Sequence, residues 1–393
     1  MSDATEAQGA AAPGPLAGTI VLDLTRVLAG PYCTMVLADL GARVIKIEPP
    51  VMGDDSRHIG PFVRGKSAYF MSINRGKESI ALDLKAPDDR AVFERLLGIG
   101  DVLVENYRGG TMEKLGYGWD ALHARFPRLV YAAASGFGHS GPYRSRAAYD
   151  MVVQGMGGIM SLTGHPGSPP TRVGTSVGDI TAGLFTAIGI AAALAERARS
   201  GLGRKVDVAM LDCQIAILEN AIARYVSTGQ VPGPLGARHP SITPFEAFRT
   251  SDGWMIIAAG NDGLFRRLAE ALGRADLGDN PLFATNELRT RHAAALKAEI
   301  EQALAAADTR HWLAAIDAAG VPCGPINDVA QALADPQIAS RNMVVTVDDP
   351  DVGTLRMAGN PIKLSGVADP PTRRPAPALD ADRAAILAEL GLA

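Results

Sequence analysis

The sequence has 393 residues, a formal net charge of −4 and a pI of about 6.0, with 47% hydrophobic and 20% charged residues. This composition excludes disordered and fibrous proteins, and the mixing of acidic with basic residues along the chain argues against a nucleic-acid or membrane-binding surface. Three widely spaced cysteines, none paired as CxxC, argue against a disulfide framework and a zinc site. We therefore expect a soluble, cytoplasmic protein with a small-molecule substrate, and neither nucleic acid nor a membrane as a partner.

The chain is longer than the roughly 250 to 300 residues at which a single core stops growing, which predicts two compact units. Residues 1–16 are rich in Ala, Gly and Pro and lack a basic region followed by an apolar core, so we expect a flexible leader rather than a signal peptide. Gly and Pro are frequent again near 226–245, as in a linker. The predicted divisions are the leader at 1–16, a large domain at 17–225, a small domain at 226–330 and a C-terminal return to the large domain at 331–393.

The first half of the chain alternates short β-branched runs with segments of helical spacing. The helical segments end at glycines in the position of a C-cap, one at Gly41 and another at Gly98 or Gly100. The predicted strands are 18–24, 42–48, 79–84, 101–106 and 128–135. This alternation is the βαβ pattern of a parallel sheet, and it predicts an α/β fold with a large doubly wound, Rossmann-like domain.

A long, largely buried helix is predicted at 179–199, because an apolar first part is followed by charged residues. Residues 203–212 predict a strand that enters another helix. Beyond the linker, a strand at 254–261 and several helical segments predict a smaller α+β domain. We expect the final helix, near 379–390, to return to the large domain.

Residues 136–141, GFGHSG, match the GxGxxG pattern that binds dinucleotides when it follows a strand and opens a helix. However, Pro142 and the irregular segment PYRSRAA come next, and no acidic strand end lies about 20 residues further on. We therefore interpret the segment as a plain turn. A non-catalytic, dehydrogenase-like nucleotide-binding scaffold stays as an alternative function.

Asp179 stands at the start of the long apolar helix. An aspartate there is by default a helix cap that accepts backbone N–H bonds, which contribute about 1 kcal/mol. Small neighbours at Gly174, Ser176, Gly178 and Gly183 would leave room beside the carboxylate for a bulky ligand. The positive end of the helix would also keep the carboxylate ionised, as a nucleophile requires. From the residues alone, the cap and the nucleophile both stay open.

A set of motifs covers nearly the whole chain, about residues 16–370. They are DLTRVLAGPYCTMVLADLGARVIKIEPP, GDDSR, SINRGKESIALDLK, DVLVENYRGGTMEKLGYGW, YDMVVQGMGGIMSLTG, GTSVGDITAGLF and AGVPCGPIND. In these motifs the chain resembles the class III CoA-transferases, of the formyl-CoA transferase and carnitine CoA-transferase type. The resemblance implies an enzyme with an acyl-CoA and a carboxylate as substrates, no tightly bound cofactor, and a homodimer of interlocked chains.

The resemblance assigns catalysis to two acids, Asp179 in the GD motif and Asp150 in the YD motif. It implies that Asp179 attacks the thioester of an acyl-CoA donor to form a mixed anhydride. The released CoA thiolate would convert this anhydride into an aspartyl-CoA thioester, and an acceptor carboxylate would reverse the steps. The expected reaction moves CoA from succinyl-CoA or a similar donor to a carboxylic acid, with a dicarboxylate preferred.

The resemblance also assigns residues to substrate binding. Those expected to bind CoA are Leu28, Ala29, Leu82, Asp83, Leu84, Lys85, Asn106, Tyr107, Arg108, Lys114, Arg146, Ala147, Ala148 and Tyr149, and their basic groups suit phosphates. Arg57 and His239 are expected to bind the second carboxylate of the acceptor. Gly260 and Asn261, in AAGND at 258–262, stand in place of the family's tetraglycine loop. No His, Cys or Asp cluster has the spacing of metal ligands, so we predict no metal site.

The chain departs from the formyl-CoA:oxalate enzymes at two positions. Leu28 replaces a glutamine beside the catalytic aspartate, and Pro49 replaces an arginine that contacts CoA. These departures argue against oxalate or formate specificity. Related 2-methylacyl-CoA racemases have a histidine where this chain has Tyr149, and without an imidazole the α-proton loses its natural acid and base. A racemase or other CoA-linked isomerase is the alternative enzyme.

Overall fold

The computed structural model describes residues 12–392, which form two compact units. Of the described residues, unit 1 contains 12–160, 172–230 and 336–392, and unit 2 contains Ser161–Thr171 and Val231–Asp335. The predicted small domain, 226–330, differs from unit 2 at both ends and lacks the separate segment Ser161–Thr171. Residues 1–11 of the predicted leader lie outside the described residues.

The alternation in the first half of the sequence corresponds to a regular series of strands and helices. In chain order they are β1 (Ile20–Asp23), α1 (Ala29–Asp39), β2 (Arg43–Glu48), β3 (Phe62–Val63), β4 (Lys66–Ser67), α2 (Ala68–Asn74), β5 (Glu78–Ala81), α3 (Pro87–Ile99), β6 (Val102–Glu105), α4 (Thr111–Leu115), α5 (Trp119–Arg125), β7 (Val130–Ser135), α6 (Asp150–Met156), α7 (Ile159–Leu162), α8 (Val177–Ser200), β8 (Lys205–Ala209), α9 (Met210–Ile217) and α10 (Glu219–Thr228). A single 3-10 turn, Asp55–His58, follows β2. The five strands expected from the sequence are present, and each is shorter than the run that predicted it.

Six of these strands form one parallel sheet, in the order β5-β2-β1-β6-β7-β8. Successive residues of a strand point to opposite faces, and here both faces are buried. Leu22 of β1 packs with Phe93 of α3, whereas its neighbour Val21 packs with Leu37 of α1 and Ile190 of α8. Helices therefore cover both faces, and the prediction of an α/β fold with a parallel sheet at its core is confirmed.

The long helix α8 lies against the sheet and against α1. The apolar run predicted this helix, but it begins at Val177, two residues before the predicted start. By length and composition, α8 is the one helix among residues 12–392 that could cross a membrane. Its residues Ala187, Ile190 and Ala193 are buried against strand side chains, and a core helix of a globular domain passes the same test.

Unit 2 has its own core, built on a small antiparallel sheet in the order β11-β10-β9. Its elements are β9 (Phe245–Arg249), β10 (Trp254–Ala258), α11 (Asp262–Ala271), α12 (Asp276–Asp279), α13 (Asn286–Arg291), α14 (Ala293–Leu304), α15 (Thr309–Ala318), β11 (Cys323–Pro325) and α16 (Val329–Ala334). Met255 and Ile257 of β10 pack with Phe265, Ile300 and Trp312 of the helices. The strand thus presents alternate residues to one helical layer.

The C-terminal segment belongs to unit 1. It contains α17 (Pro336–Ser340), β12 (Val344–Asp349), β13 (Gly353–Ala358), β14 (Thr372–Arg373) and α18 (Arg383–Glu389). The three strands form a separate sheet, in which β12 pairs antiparallel with β13 and parallel with β14. Ile386 of α18 is buried in the core beneath the large sheet, and Asp382 accepts the N–H of Ser79 in β5 at 2.8 Å.

Candidate active site

The loops after β1 and β6 lie at the carboxyl edge of the large sheet, where the strand order reverses. The chain continues from β1 to β2 on one side, while β6 pairs with the other side of β1. In open parallel sheets, ligands bind in the crevice at such a switch point. A cavity of about 160 Å³ lies here, and Asp179 forms part of its wall.

Asp179 is not the N-cap of α8, as the sequence suggested, but the third residue of its first turn. Ser176 occupies the N-cap position without a side-chain hydrogen bond. The cap comes instead from Asp150 at the start of α6, because its Oδ1 accepts the N–H of Gly178 at 2.8 Å. Since Asp150 satisfies the helix end, the carboxylate of Asp179 is not needed as a cap and faces the cavity.

Asp150 is a buried carboxylate with a defined set of partners. It is 8% exposed, and its Oδ2 accepts a hydrogen bond from Nε2 of Gln154 at 2.7 Å. The side-chain amide of Gln154 has only one possible orientation, because its Oε1 accepts the N–H of Val173, which can only donate. Asp150 therefore receives one N–H on each oxygen, a pattern that suits a carboxylate.

The surroundings of Asp179 differ from those of a surface carboxylate. Burial and the charge of Asp150 raise the pKa of Asp179 from 3.8 to about 7, while a hydrogen bond from the N–H of Ala29 acts in the opposite direction. The helix end alone therefore does not set its charge, contrary to the expectation from the sequence. Near neutral pH, Asp179 is partly ionised and poorly solvated, which is the state of a reactive carboxylate.

Tyr69, on α2, is a neighbour of this pair that no sequence motif identified. Burial, together with the charges of Asp179, Asp54 and Asp150, raises the pKa of Tyr69 to about 12. Its hydroxyl is therefore a proton donor at physiological pH. No sequence motif pointed to Tyr69, because its interaction with these acids depends on the fold.

Two small residues near the start of α8 serve helix packing rather than ligand access. A Cβ added to Gly183 would lie 2.7 Å from the carbonyl oxygen of Ala29, and one added to Gly178 would lie 2.7 Å from Cγ2 of Val153. The space that the sequence suggested for a ligand at these two positions is occupied by the protein itself.

Most residues that the resemblance assigned to CoA line the same cavity as Asp179. They come from the loops after β1 and β6 and from the loop before α6, and they are Leu28, Ala29, Asn106, Tyr107, Arg108, Arg146, Ala147, Ala148 and Tyr149. Residues 82–85 and Lys114 are not among the lining residues. Leu82 and Leu84 are buried in the core, whereas Asp83, Lys85 and Lys114 are exposed.

The cavity also contains residues that the sequence motifs did not assign. Arg26 and Arg144 extend the basic rim formed by Arg108 and Arg146. Gly136 and Phe137, from the GFGHSG segment that we interpreted as a plain turn, form part of the wall. The segment follows β7 at the carboxyl edge of the sheet, and this position was the signal that could have identified it.

Arg57 was expected to bind the acceptor, but its guanidinium is engaged within unit 1. Its Nε and Nη2 donate to the two carboxylate oxygens of Glu48, both at 2.7 Å, and Nη1 donates to the carbonyl of Pro377 at 3.2 Å. The group also stacks on Phe70, with 3.8 Å to the ring centroid. Arg57 is not among the residues that line the cavity of Asp179.

The other residues expected to bind the acceptor belong to unit 2. The Nδ1 atom of His239 accepts the N–H of Ser241 at 3.1 Å, so the imidazole has a local partner. Asn261 is the N-cap of α11, where its Oδ1 accepts the N–H of Leu264 at 2.9 Å. Gly260 precedes it, and a Cβ added to this glycine would meet no atom within 4 Å. Their role in binding stays a prediction.

The chain is similar to known proteins over nearly its whole length. Residues 16–383 match the family model described as CoA-transferase family III. The chain is 47% identical to an acetyl-CoA:oxalate CoA-transferase from Acetobacter aceti, with 98% of each chain covered, and 41% identical to a succinate–glutarate CoA-transferase from Agrobacterium fabrum, with 96% of each covered. The crystal structure of a CAIB/BAIF family protein from Brucella suis superposes with a TM-score of 0.85 at 41% identity, covering 96% of this chain and 100% of that chain.

Proposed function

Because the chain belongs to CoA-transferase family III and is a CoA-transferase, we propose that it moves CoA from an acyl-CoA to a dicarboxylate, with Asp179 as nucleophile and Asp150 as its acidic partner. The observation that carries the proposal is the poorly solvated carboxylate of Asp179 in the wall of a cavity with a basic rim. The carboxylate supplies the nucleophile, and the basic rim suits the phosphates of CoA.

In the proposed reaction, an oxygen of Asp179 attacks the thioester carbon of the donor, and the carbon–sulfur bond breaks to release CoA thiolate and leave a mixed anhydride. The thiolate then adds to the side-chain carbonyl carbon of Asp179, which releases the donor's carboxylate and leaves an aspartyl-CoA thioester. The acceptor carboxylate attacks this carbon and expels CoA thiolate, which leaves a second mixed anhydride between Asp179 and the acceptor. The thiolate finally attacks the acceptor's own carbonyl carbon, which releases the acyl-CoA product and regenerates the carboxylate of Asp179. No step consumes or releases a proton, and none needs an oxidant. The acyl-CoA and the carboxylate therefore account for every atom that is transferred.

The size of the cavity suggests how the donor binds. About 160 Å³ is less than the roughly 300 to 1,000 Å³ of a site that encloses a whole small ligand. We therefore place the thioester in the cavity and the nucleotide phosphates along the rim formed by Arg26, Arg108, Arg144 and Arg146. Residues 82–85 and Lys114 stay predicted contacts of the nucleotide beyond the cavity.

The relatives support a dicarboxylate as acceptor. One is named for succinate and glutarate and the other for acetyl-CoA and oxalate. The departures at Leu28 and Pro49 argued against oxalate, but the chain is 47% identical to a relative named for oxalate, so we retain oxalate beside longer dicarboxylates. Succinyl-CoA stays our preferred donor, with acetyl-CoA as the competing one.

We also propose a cytoplasmic homodimer, in keeping with the family. The racemase gains no support from the site, because Tyr149 stands where an imidazole would be needed and its side chain has no ring nitrogen to move a proton.

The test is to incubate the purified protein with succinyl-CoA or acetyl-CoA and a panel of carboxylates that includes glutarate and oxalate. Mass spectrometry should detect the acceptor's CoA thioester, and hydroxylamine should trap an acyl adduct on Asp179. Asp179→Asn should lower kcat by at least about a thousandfold, because the nucleophile is removed. Transfer at the wild-type rate in this variant would contradict the proposal, and exchange of the α-proton of a 2-methylacyl-CoA without transfer would favour the racemase.

Thermal unfolding of the same variant controls for misfolding. Folding raises the pKa of Asp179, so the protonated side chain favours the folded state. This contribution to the free energy of unfolding is fully present below about pH 4 and is lost as the pH rises through about 7. At about pH 8 the buried charge therefore destabilises the wild type, and Asp179→Asn should unfold at an equal or higher temperature.

A further inference from the structure

The turn between β1 and α1, residues 25–29, has its backbone polar groups held by side chains. Asn106 binds Arg26 twice, accepting its N–H at 3.0 Å and donating to its carbonyl oxygen at 2.7 Å. The Nζ atom of Lys46 donates to the carbonyl oxygen of Thr25 at 2.7 Å. Side chains from neighbouring strands and their ends thus fix a loop that has no regular backbone pairing of its own.

Val27, in the middle of this turn, has a φ of +68°. This left-handed region is disfavoured for residues with a Cβ, and most of all for β-branched ones. The conformation therefore needs support from its surroundings. The N–H of Val27 donates to Oδ1 of Asp54 at 3.0 Å.

Asp54 is itself firmly anchored. It is 2% exposed, and its Oδ2 lies 2.8 Å from Nζ of Lys46, whose side chain is fully buried. Its Oδ1 also accepts the N–H and the hydroxyl of Ser56, both at 2.8 Å. Burial alone would raise the pKa of Asp54, but Lys46 and the N–H groups of Val27 and Ser56 outweigh burial and lower it. The acceptor of the Val27 N–H is therefore an ionised carboxylate.

The turn leads directly to the nucleophile. Ala29 is the first residue of α1 and lines the cavity together with Asp179, where its backbone N–H acts on the carboxylate of Asp179 and lowers its pKa. When CoA thiolate adds to the side-chain carbonyl carbon of Asp179, an oxygen of that group becomes an oxyanion. A preorganised N–H at this oxygen stabilises the developing charge, and its effect depends on accurate placement.

We propose that Asp54, through its ion pair with Lys46, is a positioning residue that holds Val27 in the left-handed conformation and thereby directs the N–H of Ala29 to the oxygen of Asp179. The inference rests on the proposed CoA-transferase function. Asp54 is not among the residues that line the cavity, so it acts through the turn and not on the substrate.

Asp54→Asn tests the proposal, because Val27 and Lys46 lie on different oxygens of Asp54 and asparagine replaces one of these oxygens with an NH2 group that only donates. We expect kcat to fall by about 10- to 100-fold, while KM for the acyl-CoA changes by less than about threefold. Glycine adopts a positive φ without a steric penalty, so Val27→Gly in the Asp54→Asn background should recover at least about fivefold in kcat relative to Asp54→Asn alone.

Asp349→Asn is the matched control. Asp349 is a buried carboxylate of unit 1, paired with Lys66 at 2.9 Å, and it is not among the cavity residues. Its substitution should leave kcat within about twofold of the wild type, and adding Val27→Gly to it should give no recovery. Rescue restricted to the Asp54 background cannot come from a general effect on stability.

A variant that leaves the buried charges intact covers the case in which Asp54→Asn does not fold. Proline fixes φ near −65° and has no N–H, so Val27→Pro should lower kcat by about a hundredfold with native circular dichroism. Provided that the wild type transfers CoA, any one of three results overturns the inference. The first is a kcat of Asp54→Asn within about threefold of the wild type, and the second is no recovery by Val27→Gly in the Asp54→Asn background. The third result is a wild-type kcat in Val27→Pro. Absence of transfer in the wild type would instead refute the proposed function.

Discussion

The carboxylates of Asp179 and Asp150 are brought together by the packing of α6 against α8. Asp150 is fixed by hydrogen bonds from Gly178 and Gln154, so its place beside Asp179 is set by backbone and amide donors. One buried acid thus acts on the other in two ways. It caps the helix in place of Asp179, and its charge contributes to the raised pKa of Asp179.

This pairing predicts the pH dependence of the reaction. Asp179 must be ionised to attack, and its pKa is about 7, so kcat/KM for the acyl-CoA should rise with pH through about 7 and then level off. Asp150→Asn removes the negative charge that disfavours ionisation of Asp179. The rise should therefore move to lower pH, by about one unit or more.

The measurement is the pH profile of kcat/KM for both proteins between about pH 5 and pH 9, with stability followed at each pH. Gln154→Leu is a useful companion, because it removes the donor to Oδ2 of Asp150 but keeps the acidic pair. A profile of Asp150→Asn that coincides with the wild-type profile would contradict this account of the pKa.

At the scale of elements, the position of the nucleophile depends on how closely α8 approaches α1. Gly183 of α8 faces the backbone of α1, where a Cβ would lie 2.7 Å from the carbonyl oxygen of Ala29 and 3.3 Å from the backbone nitrogen of Cys33. Backbone atoms cannot move aside as a flexible side chain can. The glycine therefore permits the close contact that places Asp179 beside the N–H of Ala29.

Gly183→Ala should separate the two helices. We expect a loss of about 1 to 3 kcal/mol in the free energy of unfolding from overpacking, together with a fall in kcat larger than the fraction unfolded explains. Chemical denaturation and steady-state kinetics measure the two effects. Gly98→Ala on α3 is the control, because nothing lies within 4 Å of its added Cβ, and it should be neutral or stabilise by about 0.5 to 1 kcal/mol. Equal effects of the two substitutions would contradict this role of Gly183 in packing.

At the scale of the whole molecule, unit 1 exposes a group of apolar side chains along α8. Leu184, Phe185 and Ile188 of α8 are 40%, 40% and 62% exposed. Leu184 also lines an apolar groove of about 490 Å³, together with Tyr32 and Met357. Apolar patches of this kind mark interaction surfaces, and the proposed homodimer would cover this one.

Ile188→Asp should weaken the dimer, because an unpaired charge would be buried in the interface. Size-exclusion chromatography with light scattering should show a dimer for the wild type and a monomer for the variant at the same concentration. Ile99→Asp is the control, since Ile99 is 39% exposed on α3, which covers the other face of the sheet. A monomeric wild type, or a variant that stays dimeric, would contradict the proposed assembly surface.

The sequence predicted the fold class and the reaction class. Alternating strand and helix patterns are local properties, so they identified the parallel sheet without any knowledge of long-range contacts. The motifs identified the enzyme class, which the family match confirms. They also contain residues of the cavity wall, such as Leu28, Asn106 and Asp179, because several motifs include loops at the carboxyl edge of the sheet.

The sequence did not predict what depends on contacts between distant segments. From the residues alone, a capping role of Asp179 stayed open beside the nucleophile, because the residue that caps the helix, Asp150, lies 29 positions earlier in the chain. The ion pair of Arg57 with Glu48 was not foreseen, because it forms only when the 3-10 turn folds back on β2, and the binding role of Arg57 stays a prediction. Tyr69 was overlooked because α2 carries no motif for catalysis.

That the chain is an α/β enzyme of the CoA-transferase type, with an aspartate in its GD motif, follows from the sequence alone, because periodicity and motifs are properties of neighbouring residues. The state of that aspartate follows only from the folded chain. Its raised pKa, its release from capping and its N–H partner at Ala29 depend on burial and on groups from α6 and α1. Electrostatic interactions act through space, so they appear only when the fold has brought these groups together.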